Sequence, residues 1–286
     1  MKNIIWLASY PKSGNTMLRL FLVSYFFTEN GKLKDLNLSN NISIFNDYLV
    51  FKKIKNFCNK SEFNKNPELI SKYWIEAQKT LFDLYPKNVF FFKTQNDQIK
   101  YKNYSFTNNN FTRCFIYIVR DPRSVLVSAK SHYNYGSFDE GLKKLVSEKH
   151  LSLKKDQVLP EFLLSWKSHY LSWKKFQKEN KNLGLIIRFE DLVKNPYEKF
   201  KEIIDLIENK NNLNFNEEKF NNSLKSVNFD KLQKMENQYG FNEKGINAEK
   251  FFRKGKIDEL KKIVPKEIFV KIEKNFYHEM KELGYI

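Results

Sequence analysis

Asn3-Ile4-Ile5-Trp6-Leu7-Ala8, then Ser9-Tyr10-Pro11-Lys12-Ser13-Gly14-Asn15-Thr16, then Met17-Leu18-Arg19-Leu20-Phe21-Leu22-Val23-Ser24-Tyr25-Phe26-Phe27: this stretch decides the fold. Ile4 to Leu7 is a continuous apolar run bounded by turn residues, the pattern of a buried strand. From Met17 to Phe27 the chain reads as a buried helix. The turn between them holds one glycine, Gly14, which lets backbone approach a ligand closely. Past it, the N–H groups of Asn15 and Thr16 open a helix, where unpaired amides bind anions. Lys12 adds a mobile positive charge, and Ser13 and Thr16 add hydroxyls. Together these parts make a phosphate cradle.

The pattern repeats along the chain. Short apolar runs at 3–8, 88–93, 114–119 and 183–188 each lead through polar residues into a helical segment. Strands alternating with helices predict an α/β fold, with a central parallel sheet flanked by helices on both faces. Helices are expected over 15–29, 67–85, 122–133, 138–149, 159–179, 196–208 and 265–283. Pro122, Pro196 and Pro265 suit first-turn positions, where a missing N–H does no harm. In the 159–179 helix Phe162, Trp166, Tyr170, Trp173 and Phe176 recur at helical spacing and read as core. Ligands in such folds bind beyond the carboxyl ends of the strands.

With 286 residues, 41% of them hydrophobic, the chain can build one sizeable core, so residues 1–286 are expected to be a single domain. The polar, asparagine-rich stretch 31–71 reads as an insertion or lid. The apolar run after Met1-Lys2 is too short for a secretion signal and meets Pro11-Lys12, so a cytoplasmic location is expected. No apolar stretch reaches the length of a transmembrane helix. Cys58 and Cys114 have no metal or redox spacing, and His132, His150, His169 and His278 are scattered, so no metal is expected. The net charge of +17 favours anionic partners. Lysine and asparagine are nevertheless abundant in loops such as 59–65 and 209–219, which is a compositional pattern. The basic residues are diffuse, and no specific nucleic-acid module stands out.

A second anion site follows the third strand, in Arg120-Asp121-Pro122-Arg123-Ser124-Val125-Leu126-Val127-Ser128. Arg120 sits at the strand end, Asp121 is the natural N-cap, and Ser128 lies about two turns into the helix. An arginine fork suits phosphate oxygens.

The loop at Lys12 is not a Walker A motif, because its lysine precedes its only glycine. It resembles the 5′-phosphosulfate loop of the sulfotransferases that use 3′-phosphoadenosine-5′-phosphosulfate (PAPS), whose fold is P-loop-NTPase-like. The Arg120–Ser128 spacing resembles that family's 3′-phosphate motif. Arg188-Phe189-Glu190-Asp191-Leu192 is similar to its strand-to-helix segment, where an aromatic residue neighbours the adenine. Phe229 matches a position lining the adenine pocket, and Phe251-Phe252-Arg253-Lys254-Gly255-Lys256 looks like the C-terminal basic loop. By this resemblance Lys12, Ser13, Gly14, Asn15, Thr16 and Met17 hold the 5′-phosphate. Arg120, Ser128, Arg253, Lys254 and Gly255 hold the 3′-phosphate, and Phe189 and Phe229 flank the base. The motifs stand in family order from residue 9 to residue 255, and the tail resembles the family's last helix.

The resemblance implies sulfuryl transfer from PAPS to a hydroxyl or amine, with Lys12 stabilising the leaving oxygen and no metal. It departs at one place. Many members carry a catalytic histidine in a Lys-Thr-His segment, whereas this chain has Lys93-Thr94-Gln95. A glutamine amide can orient a hydroxyl but cannot take its proton. His132 is then the first candidate base, Asp97 a weaker one, and Lys93 a second active-site cation. Acceptors of the small-molecule, carbohydrate or lipid kind fit. The competing readings are an ATP- or GTP-dependent phosphotransferase and a non-enzymatic polyanion binder.

Overall fold

The computed structural model describes residues 2–153, 157–245, 250–252, 260 and 262–286. Four parallel strands form the central sheet: β1 (Ile4–Ser9), β2 (Phe90–Thr94), β3 (Thr112–Val119) and β4 (Gly184–Arg188). Their spatial order is β2-β1-β3-β4. The four runs expected from sequence are these strands, with ends shifted by one or two residues.

Side-chain alternation along the strands sorts the core into two halves. Ile4, Trp6 and Ala8 of β1 join Phe115, Tyr117 and Val119 of β3 on one face. Ile5 and Leu7 join Cys114, Ile116 and Ile118 on the other. Both faces are covered, which is why the strands read as continuous apolar runs.

The first face is covered by α2 (Trp74–Leu84), α3 (Pro122–Tyr133), α4 (Phe138–Val146), α5 (Trp166–Glu179) and, from the far end of the chain, Lys266–Glu282. On the second lie α1 (Asn15–Phe27) and the helices Pro196–Asn211, Glu217–Ser226 and Phe229–Tyr239. Residues 31–71 feed both halves, with Phe45, Phe51, Phe63 and Ile70 on the first and Leu33, Leu36 and Ile42 on the second. That stretch is also stitched to the sheet edge, since Phe45 N–H donates to the Lys93 carbonyl (2.9 Å) and Lys93 N–H to the Ser43 carbonyl (2.9 Å).

Two helix expectations need correction. The 159–179 segment is helical only from Trp166, because Ser165 caps it by accepting from the Ser168 N–H. Upstream, Leu164 takes a left-handed φ of 51° and Glu161–Phe162 forms a two-residue strand against Leu151–Ser152. Phe162 is therefore core, but not through the helical stripe. The 67–85 segment begins as a 3-10 turn over Pro67–Tyr73 before α2. The helices Glu217–Ser226 and Phe229–Tyr239 were not expected; asparagine-rich composition hides their periodicity, although Asn216 and Asn228 cap them.

Because the strands are parallel, their carboxyl ends, Ser9, Thr94, Val119 and Arg188, share one edge of the sheet. The site is built there.

Candidate functional site

The loop after β1 is bent by two left-handed residues, Lys12 (φ 67°) and Gly14 (φ 102°). Ser13 N–H donates to the Tyr10 carbonyl (3.3 Å), closing the turn. Gly14 stands at the N-cap of α1, and no side chain caps the helix. The first amides of α1 are thus left for an anion. The Asn15 side chain does a different job. Its Nδ2 donates to the Leu7 carbonyl (2.9 Å) and Ser9 Oγ (3.3 Å), pinning α1 to β1 and aiming those amides along the sheet edge. Ser13 Oγ is buried without a hydrogen-bond partner among the described residues. Met17 is half-buried in the first turn, its N–H spent on the Gly14 carbonyl (3.1 Å).

Arg120 arrives from the end of β3 and donates from Nη1 to the Lys12 carbonyl (3.1 Å). Its own carbonyl accepts from Trp166 Nε1 (3.1 Å), so α5 fixes the strand end. The guanidinium stacks over Phe189, 4.7 Å from the ring centroid. That same ring presses on Gly14, where a Cβ would stand 2.2 Å from Phe189 Cδ2. On the other side, Lys12 Nζ lies 4.5 Å from the centroid of Phe251. Phe251 packs on Phe252 (5.0 Å), and Phe229 meets Phe252 edge-on (6.5 Å). Lys12, Gly14, Arg120, Phe189 and Phe251 therefore form one patch, with Phe229 at its rim.

Asp121 caps α3, accepting from the Arg123 N–H (2.8 Å), and pairs with the Arg123 guanidinium (2.6 Å). Arg123 reaches on to Glu273 (2.7 Å), so it is structural. Ser128 lies half-buried in the second half of α3. His132 closes the same helix, ring against Tyr133 (4.7 Å), at the far end of α3 from Arg120. Arg253, Lys254 and Gly255 lie outside the described residues.

The sequence reading passed over Glu243. Thr16 Oγ1 donates to its Oε2 (2.8 Å), Arg19 Nη2 pairs with its Oε1, and Lys93 Nζ stands 3.9 Å from it. Burial opposes ionisation of Glu243, but Lys93, Arg19 and the Thr16 hydroxyl outweigh it and hold the carboxyl well below the usual range. No periodicity or motif marks this glutamate in Phe241-Asn242-Glu243-Lys244-Gly245.

Gln95 follows β2 and is held by its backbone. Its N–H donates to Glu161 Oε1 (3.0 Å), and its carbonyl lies 3.0 Å from His169 Nε2. A carbonyl only accepts, so Nε2 carries the proton and Nδ1 accepts from the Tyr117 hydroxyl (2.9 Å). Burial pushes His169 down to about 4, which keeps this neutral tautomer. Tyr10 touches the His169 ring edge-on (5.5 Å) and its hydroxyl lies 3.5 Å from His150 Nδ1. Asp97 is buried beneath this layer, its N–H bonded to the Phe162 carbonyl (2.7 Å), and burial pushes its carboxyl up to about 8. Among the described residues, no three His, Cys, Asp or Glu side chains gather as a metal site.

Residues 2–284 match the sulfotransferase domain family. Solved structures agree at the level of fold. A mouse sulfotransferase complexed with PAP is 16% identical, with a TM-score of 0.58 over 98% of this chain and 85% of its own. Retinol dehydratase in a complex with retinol and PAP is 20% identical, with a TM-score of 0.61 over 98% and 82%. A second structure of retinol dehydratase, with androsterone and the inactive cofactor PAP, is 17% identical, with a TM-score of 0.60 over 97% and 80%. No curated protein sequence matches the chain.

Proposed function

The chain belongs to the sulfotransferase domain family, and we propose that the patch joining Lys12, Gly14, Arg120 and Phe189 is where it binds PAPS for sulfuryl transfer. The protein is a PAPS-dependent sulfotransferase acting on an unidentified acceptor. This sets aside the phosphotransferase and polyanion-binder readings. The observation that carries the site assignment is the hydrogen bond from Arg120 to the Lys12 carbonyl, which brings the guanidinium from the end of β3 onto the backbone of the anion loop that follows β1.

The residues present fit the nucleotide. Ser13 Oγ is a buried polar atom without a partner among the described residues, and Gly14 lies flush against a ring where a side chain would clash. The α1 amides and the hydroxyls of Ser13 and Thr16 would hold the 5′-phosphate. Arg120 and Ser128, with Arg253, Lys254 and Gly255, would take the 3′-phosphate, and Phe189 and Phe229 the base. When bound, PAPS supplies the sulfuryl group. Lys12 and Lys93 then lower the cost of charge on the oxygens around it. Gln95, its backbone fixed between Glu161 and His169, offers an amide that orients an acceptor hydroxyl but takes no proton. Asp97 is only 2% exposed, so it supports the structure rather than reaching an acceptor. His132 remains our base candidate, at the end of α3 that faces away from Arg120 and toward Gly245.

The acceptor side of this reading is a small molecule bearing a hydroxyl or amine, a lipid and a carbohydrate being further members of the same class. It would be walled by the 31–71 stretch, which we regard as an insertion within a single domain, by the 133–150 region and by the 237–250 segment, of which residues 246–249 lie outside the described residues. A cytoplasmic location belongs to the same reading and is supported by the free thiols of Cys58 and Cys114. Among the described residues, no helix is long and apolar enough to cross a membrane.

The test is a thermal shift. Adenosine 3′,5′-bisphosphate (PAP) at one hundred times its dissociation constant adds about 2.7 kcal/mol of stability. ADP, which lacks the 3′-phosphate, should add less at equal concentration. Equal shifts would remove Arg120 and its partners from a 3′-phosphate site.

A further inference from the structure

We propose that Glu243 is a built-in competitor for the donor's anionic group, so that this one carboxylate sets donor affinity. The inference rests on the PAPS reading for the identity of the anion, but its geometry does not depend on it. Three groups from two elements converge on the Glu243 carboxylate: Thr16 from the first turn of α1, Arg19 one turn later, and Lys93 from the end of β2. A hydroxyl and two cations around two oxygens make an anion seat. Thr16 belongs to the loop that cradles phosphate, and Lys93 pairs in register with Leu7, two residues before that loop begins. A phosphosulfate and the Glu243 carboxylate cannot use Thr16 and Lys93 at once.

Glu243 is brought there by a short strap. Gly240 ends the Phe229–Tyr239 helix with φ 72°, and Phe241 packs against Phe251 (4.9 Å), the ring beside Lys12. At the far end Gly245 lies against the backbone of His132, where a Cβ would come 2.6 Å from its carbonyl oxygen. The strap thus runs from the aromatic rim of the patch to the end of α3, with the carboxylate aimed into the cradle between.

The probe is inorganic pyrophosphate, which carries two linked anionic groups and no nucleoside. A carboxylate that holds its seat in roughly nine molecules of ten weakens a competing anion about tenfold. Titration calorimetry should therefore find pyrophosphate bound about tenfold tighter by Glu243→Gln than by the unsubstituted chain. Equal or weaker binding overturns the inference. Because Glu243→Gln leaves Arg19 buried beside a neutral amide, its fold is checked by circular dichroism. The comparison is repeated between Arg19→Gln and the double variant R19Q/E243Q, where the same tightening is expected. A Glu243→Gln chain that loses turnover with unchanged pyrophosphate affinity would make the carboxylate a base and end the competition model. PAP is titrated in parallel. Failure of PAP to bind either chain, with the pyrophosphate difference intact, would sink the nucleotide reading and leave the competing carboxylate standing.

Discussion

Phe189 lies so close to Gly14 that a Cβ on the glycine would stand 2.2 Å from the ring. The glycine is required twice over, since its φ of 102° is also costly for any L-residue. Gly14→Ala should cost about 1–2 kcal/mol in backbone strain alone, with the clash added. A melt then shifts by about 2–4 °C per kcal/mol for a chain of this size class. The clash part is testable by a double-mutant cycle. In a Phe189→Ala background the same substitution should cost less, and an equal cost in both backgrounds would show that the ring is not the obstacle.

Lys12 and Gln95 should separate in kinetics. Lys12 is half-exposed on a strained loop, stacked over Phe251, and is not part of the core. Lys12→Ala should lower turnover by about 100- to 1000-fold, as removal of one charge-stabilising donor does elsewhere, with the melting temperature nearly unchanged. Gln95→Ala should cost less than Lys12→Ala, since its backbone contacts to Glu161 and His169 survive the change. Assay with labelled PAPS decides it, and a larger loss for Gln95 would put its amide at the centre of the mechanism.

Arg120 offers a planar fork beside Lys12. A charge-assisted hydrogen bond is worth about 1.5–3 kcal/mol. Arg120→Ala should therefore erase most of the preference for PAP over ADP in calorimetry. Arg120→Lys should restore only part of it, because an ammonium lacks the fork. A preference that survives Arg120→Ala would move the 3′-phosphate elsewhere.

The sheet was legible because its strands are buried on both faces and read as apolar runs, Ile4 to Leu7 most plainly. The cradle was legible because glycine, lysine and hydroxyls cluster within one turn. What stayed hidden is long-range. Glu243 is 227 residues from Thr16 in sequence, and no local pattern announces that the two meet. His169 reads as one of four scattered histidines, yet it holds the Gln95 backbone 74 residues away. Asn15 reads as a cofactor ligand through its backbone N–H, and no local pattern announces that its side chain serves the Leu7 carbonyl. A residue type names what a side chain can bond to, and only the fold decides which partner it finds.

His169 predicts an acid limb in stability. Its folded value of about 4 lies below the usual 6.5, owing to burial. Between those values the unfolded chain binds more protons than the folded one, so stability falls as pH falls through that window. The loss is on the order of 3 kcal/mol between pH 6.5 and 4. Urea titrations across this range should show a shallower slope for His169→Gln, which keeps a donor for the Gln95 carbonyl but does not titrate. An unchanged slope would assign the acid limb to other groups, such as His150, which burial also pushes down to about 4.

Asn15 separates the side chain of the loop from its backbone. The Asn15 amide group is buried and donates to the Leu7 carbonyl (2.9 Å), tying α1 to β1. Asn15→Ala leaves that carbonyl without its donor, a cost of about 1–3 kcal/mol. The backbone N–H at position 15, which is the group offered to phosphate, is untouched. A clear drop in melting temperature is therefore expected, with PAP affinity reduced by less than about tenfold, a limit of 1.4 kcal/mol. Asn15→Asp should be worse on both counts. It replaces the donor with a carboxylate facing the Leu7 carbonyl and sets a negative charge at the mouth of the anion cradle. Calorimetry and melting on the two variants decide the matter: if Asn15→Ala loses PAP binding while keeping its melting temperature, the side chain is a ligand after all and not the strut between helix and strand.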